Sequence, residues 1–214
     1  MNNMKKYINL YKKYPVTYSL ILICMIVYIL SVFLFGFEMD AKQGLLFGGY
    51  NPLFVYYYHQ YYRLITANFI HFGLLHIVVN CYSLYGIGMF IESVLKTKKY
   101  LIVIFVSLIT TSGLPYILFL INGFESQTVS GGISGVIFGL IGALAALALK
   151  YKDIYMSIFK QLTSNLLLML VISFIVPSIS LSGHVSGLLG GFVSTYILIT
   201  FHKKKKNQYS DLLN

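Results

Sequence analysis

Six apolar runs, at approximately 16–35, 68–91, 100–121, 133–149, 162–181 and 184–201, are separated by polar and basic residues. Most approach the ~20 residues a helix needs to cross ~30 Å of hydrocarbon, so the pattern predicts an all-α membrane protein with six transmembrane helices. The fifth and sixth runs are parted only by Ser178-Ile179-Ser180-Leu181-Ser182, between Pro177 and Gly183. The fourth run is short: from Ser134 to Leu149 a helix covers ~24 Å at 1.5 Å per residue. With its far end pinned by Lys150 and Lys152, its near end stops below the membrane surface, and segment 126–132 must dip inward to meet it. Irregular backbone at that depth is tolerated where it lines a water-filled cavity.

Charge gives the orientation. All but Lys42 and Arg63 of the 16 basic residues fall in the two tails and in the connections after the second and fourth runs, so the positive-inside rule puts both termini in the cytoplasm. Residues 1–15 and 202–214 are then basic cytoplasmic tails, 16–201 the membrane domain and 36–67 an external loop. With 57% hydrophobic and 10% charged residues, the chain has the lipid bilayer as its solvent. Its +10 net charge serves orientation and attraction to anionic headgroups, not nucleic acid. Lys203 to Lys206 form a stop-transfer anchor, and the long first run, with no small-residue cleavage site after it, is expected to be an uncleaved helix rather than a signal peptide. Loop 36–67 is expected to be ordered, with Tyr56-Tyr57-Tyr58 at the headgroup interface. Cys24 and Cys81 lie in apolar runs and predict neither a disulfide nor a metal site; no cofactor is expected.

Against this background Ser134 and His184 stand out, a nucleophile and a base at the external ends of two runs that cross in the same direction. Gly135, Gly139 and Gly142 follow the serine, and Gly187 and Gly191 follow the histidine, at the three- and four-residue spacings that let membrane helices approach closely. Such glycines alone are ordinary packing residues; their weight here comes from the serine and histidine at the same end of both stripes. His76 and Asn80, four residues apart, share one helix face and offer two donors for an oxyanion. His71, five residues before His76, is expected to point elsewhere and tie down loop backbone. His59 and His202 read as solvated or interfacial. Of the acids Glu38, Asp40, Glu92, Glu125, Asp153 and Asp211, none accompanies His184 in its helix, which favours a Ser-His dyad with Phe138 packed on the imidazole. The chain has no His-Glu-x-x-His motif and no Asp pair within its helices.

Together these residues resemble the rhomboid intramembrane serine proteases. The resemblance rests on Arg63, His71-Phe72-Gly73-Leu74-Leu75-His76-Ile77-Val78-Val79-Asn80, Gly88-x-x-x-Glu92, Gly132-Ile133-Ser134-Gly135 and Gly183-His184-x-x-Gly187. It implies a compact six-helix bundle of the bacterial type. Ser134 would be the nucleophile and His184 the general base and then acid. His76, Asn80 and the Ser134 N–H would form the oxyanion hole, with Gly132 shaping the loop beside it. The implied substrates are single-pass membrane proteins, cut near the external end of their helix where small or helix-breaking residues let the strand unwind. Helix five and the loop before helix six would act as gate and lid, in a bacterial plasma membrane with the site opening to the extracytoplasmic side. Two positions depart from the family pattern: Tyr62-Arg63 stands for Trp-Arg, and Phe138 for Tyr.

Two other readings stay open at this level. A non-catalytic relative that escorts membrane helices would be expected to lack the serine or the histidine. A channel or transporter would use Ser134, His184, His76 and Asn80 to line a hydrated path. Glu92 is expected to join helix ends, or to pair with Lys96 four residues on.

Overall fold

The computed structural model describes residues 10–124, 127, 129–162 and 180–210, with side chains up to 201. Helix α1 (Pro15–Phe35) begins with proline at a position that has no intrahelical use for an N–H and ends at Gly36, whose φ of 88° favours glycine. Leu20, Cys24, Tyr28 and Ser31 form its buried stripe, while Leu22, Leu30 and Phe33 are exposed. Its first turn is held by Glu92, whose carboxylate accepts from Val16 N at 3.1 Å, Thr17 N at 3.0 Å and Thr17 Oγ1 at 2.8 Å. Negative charge at a helix N-terminus is favourable. Glu92 therefore joins helix ends, and the Lys96 ammonium instead donates to Ser93 O.

The external loop folds into α2 (Ala41–Phe47), α3 (Pro52–Tyr57) and α4 (Arg63–Thr66). Asp40 and Gln43 form a reciprocal capping box on α2, and Asn51 caps α3 ahead of Pro52. Arg63 ties these pieces together. Only 4% exposed, it donates to Gln60 Oε1 at 2.6 Å, Leu45 O at 2.8 Å and Gly49 O at 2.6 Å, beneath the Phe54 and Tyr62 rings. Tyr62 thus supplies the aromatic neighbour, and the seat of the loop is the guanidinium. Tyr56, Tyr57 and Tyr58 are exposed.

Ala67–Phe69 form a 3-10 turn, so the second long helix begins at Leu74 rather than near residue 68. It runs through α5 (Leu74–Ser83), a π turn at Leu84–Gly88 and α6 (Met89–Asn122), 49 residues in all. That length is not one rod. Lys96 has φ 65° and ψ 155°, outside helical values. The Tyr100 hydroxyl also reaches Gly88, lying 3.0 Å from where a Cβ there would be, although a straight helix would separate those residues by about 18 Å along its axis. The chain folds back at Lys96, giving the two separate runs expected from sequence.

Helix α7 (Ser134–Lys150) occupies the centre, buried on every side except at Ser134 and near its far end. At 17 residues it is the short helix foreseen. Around it pack α6 and α8 (Leu181–Ser210) at backbone-contact distance. A Cβ on Gly187 would strike the carbonyl of Gly135, one on Gly191 that of Gly139, and one on Gly142 that of Leu188. Gly139 likewise receives the Ser107 side chain, and Gly190 that of Thr110. The glycine stripes are where two helices touch, as their spacing predicted. Ile77, Leu84, Ile91, Val136, Ile137, Leu140 and Leu144 fill the adjoining core.

Three helical stretches among the described residues are long and apolar enough to cross a membrane, Pro15–Phe35, Leu74–Asn122 and Leu181–Phe201, with Ser134–Lys150 shorter. Residues 152–162 are helical. Most of the fifth apolar run, at 163–179, and the gate assigned to it lie outside the described residues, as do residues 126 and 128 of the inward-dipping segment. Cys24 is buried, whereas Cys81 is partly exposed; both are free thiols.

Candidate active site

Ser134 stands at the first position of α7, where backbone N–H groups have no intrahelical acceptor. The loop leading to it is fixed by the external loop. Tyr50 and Ser130 exchange backbone hydrogen bonds of 2.8 and 3.0 Å, and Gly132 N donates to Ala67 O at 3.0 Å. Gly132 has φ 115°, a left-handed value that a side chain would strain. Its absent Cβ leaves space beside His76, whose Nε2 lies 2.8 Å from that position, and Asn80, whose Nδ2 lies 3.6 Å from it.

His184 enters from α8. That helix begins at Leu181, three residues earlier than the pattern suggested. Ser180 caps it through its hydroxyl, which accepts from Gly183 N at 3.0 Å, and its carbonyl accepts from His184 N at 3.1 Å. His184 therefore sits one turn inside, with its Nε2 2.7 Å from Ser134 Oγ. The Phe138 ring stacks on the imidazole at a centroid distance of 4.2 Å and an interplanar angle of 13°. Gly135 lets Thr111 and the Gly187 backbone pack directly against this first turn.

The other face of the site comes from α5. The Nδ1 of His76 accepts from Phe72 N at 3.4 Å, which puts the ring proton on Nε2, facing Gly132. Asn80 is 3% exposed, and its Nδ2 has no hydrogen-bond partner among the described residues. A buried amide without a partner is costly, and such exceptions concentrate at functional sites. His71 does not point elsewhere. Because the helix starts at Leu74, helical spacing does not govern it, and its ring lies edge-on to His76 at 5.0 Å while Nδ1 bonds Phe69 O at 3.1 Å.

His76, Gly132, Ser134 and His184, together with Asn68 and Thr111, line a cavity of about 30 Å³, and Asn80 lies behind Gly132 without lining it. A water needs roughly 10–15 Å³ of such space, so the recess admits a small nucleophile beside the serine. Arg63 and Glu92 are elsewhere, Arg63 in the external loop and Glu92 in the first turn of α6 against the start of α1. Asn68, Thr111, Ser112 and Ser180 line the recess without having been singled out from sequence. Asn68 had a readable signal, as a polar amide at the edge of an apolar run, and Ser180 another, as a cap before a helical stretch.

A model of the rhomboid domain matches residues 58–201. The chain belongs to the rhomboid family. With its long apolar helices, the rhomboid domain makes this an integral membrane protein. No curated protein matches the chain. The matched span contains every residue that lines the recess except Tyr50, among them His76, Gly132, Ser134 and His184.

Proposed function

We propose that this rhomboid-family chain is an intramembrane serine endopeptidase acting through a Ser134–His184 dyad. The observation that carries the reading is the 2.7 Å contact between Ser134 Oγ and His184 Nε2, in a recess that also holds donors for an oxyanion. With its proton on Nδ1, His184 takes the serine proton through Nε2 as Oγ attacks the scissile carbonyl carbon. The carbonyl oxygen becomes an oxyanion, met by the Ser134 N–H, His76 Nε2–H and Asn80 Nδ2–H. His184 returns the proton to the departing amine as the C–N bond breaks, leaving an acyl-serine. Water, deprotonated by His184, then cleaves the ester and restores the serine. Phe138 holds the imidazole face, Gly132 and Gly135 give the donors and helices their approach, Gly187 seats α8, and His71 and Arg63 hold the loops that carry the site.

The proposed topology has six crossings, both termini in the cytoplasm and the recess opening to the extracytoplasmic side of a bacterial plasma membrane, as the lysine distribution favours. The membrane domain spans 16–201 between basic tails. Substrates are single-pass membrane proteins cut near the external end of their helix. A fluorophosphonate tests the chemistry: attack by Oγ on phosphorus expels fluoride and leaves a phosphonyl-serine. The expected adduct is on Ser134 and is lost in Ser134→Ala and His184→Ala. Labelling that persists in both variants would contradict the dyad.

A further inference from the structure

The short strap between α1 and α2 lies over the start of α5. Glu38 and Gly73 form an isolated antiparallel bridge. Met39 N donates to Phe72 O at 2.8 Å, and a carboxylate oxygen of Glu38 accepts from Leu74 N at 3.3 Å. The same carboxylate occupies the space a side chain on Gly73 would take. Two residues of the α5 entry are therefore gripped from outside, one at its carbonyl and one at its amide. Phe72, gripped through its carbonyl, is the residue whose N–H reaches His76 Nδ1. Asp40 and Gln43 anchor the far end of the strap through the α2 capping box, and Tyr28 OH anchors its beginning by donating to Phe37 O at 2.9 Å.

We infer that Glu38 is a positioning residue for the oxyanion donor His76: its grip on the Leu74 amide fixes the Phe72 backbone that sets the ring's tautomer and aim. The inference rests on the protease reading for its catalytic meaning, but the positioning itself has its own readout. Glu38 is exposed at the loop surface, and its substitution leaves the core untouched. A simple helix cap would behave differently, since its loss would lower stability without altering the imidazole.

The test uses the full chain in lipid nanodiscs, with isotope-labelled histidine and a His76→Gln spectrum to assign the His76 signals. The native chain is expected to hold a single Nε2–H form of His76. Glu38→Ala is expected to give mixed tautomers, and Glu38→Gln, whose amide oxygen can still accept from Leu74 N, to restore the single form. Identical His76 signals in all three would overturn the inference, whatever their activity. In a cleavage assay, Glu38→Ala should lower kcat about tenfold, within the range that small misplacements of catalytic groups produce. KM should stay the same, Glu38→Gln should recover most of the loss, and in a His76→Ala background Glu38→Ala should cost nothing further. Losses that multiply in the double variant would also overturn it. A native chain with the expected tautomers but no Ser134-dependent cleavage would remove the protease reading and leave the positioning standing.

Discussion

The Phe138 ring lies nearly parallel to the imidazole of His184, 4.2 Å away, one turn along the helix that begins with Ser134. Ser134 and the ring that supports the imidazole thus come from one rigid element, and His184 is clamped between them. Aromatic stacking of this kind contributes roughly 0.5–1.5 kcal/mol beyond burial. Phe138→Ala should therefore slow kcat by at least about two- to tenfold, with additional loss from the cavity it opens. Phe138→Tyr should retain the stack and the rate. Steady-state cleavage by the three proteins, normalised to phosphonate-reactive sites, checks this.

Asn80 makes the complementary case. Its Nδ2 is buried and without a partner among the described residues, so its removal forfeits no Nδ2 hydrogen bond to them. Asn80→Ala should reduce kcat by about 10²–10³-fold, the usual cost of one oxyanion donor, and leave a measurable remainder from His76 and the Ser134 amide. Thermal unfolding should show little change beyond the small cavity. A loss of stability as large as the loss of rate would argue for a structural amide.

Where α7 meets α8, Gly191 sits on the carbonyl of Gly139, so Gly191→Val has no small adjustment open to it. Overpacking typically costs 1–3 kcal/mol, and here backbone must move. The expected result is a lower unfolding temperature in detergent together with loss of phosphonate labelling, because the same displacement separates His184 from Ser134. Gly86, with nothing near its missing Cβ, is the control: Gly86→Ala should leave both unchanged.

Glu92 should separate stability from chemistry in the opposite sense to Asn80. Three donors of the α1 start converge on its carboxylate, and leaving buried donors unpaired costs roughly 1–3 kcal/mol each. Glu92→Ala should strongly lower detergent stability, while the fraction that remains folded keeps its phosphonate reactivity. Glu92→Gln should fall between.

What sequence reveals here follows from what is local. The Ser134 and His184 positions, the glycine stripes and Phe138 are legible because each depends on spacing within one helix, and the pairing of the two stripes needs only matched depth. The reversal at Lys96 is legible through its lysines, although the non-helical backbone is confined to that one residue. The helices of the external loop had signals that single residues carry, the Asp40–Gln43 box and Asn51-Pro52, beneath a composition that reads as loop. The contacts of Glu38 with Leu74, Arg63 with Leu45 and Gly49, and Asn68 with Leu108 join segments far apart in the chain, and no periodicity encodes them. His71 ties down loop backbone at Phe69 O as its position suggests, but its ring lies beside His76 because the helical period does not extend through Gly73, where the backbone is extended.

The most direct test of the protease reading places purified protein and its Ser134→Ala variant in proteoliposomes with single-pass helices carrying small residues near the external boundary, and maps any cut by mass spectrometry. The dyad predicts cleavage near the membrane boundary by the native chain and none by the variant. Absence of cleavage by either, with equal binding of the helices by both, would contradict it and identify a rhomboid-family protein that holds membrane helices without cutting them.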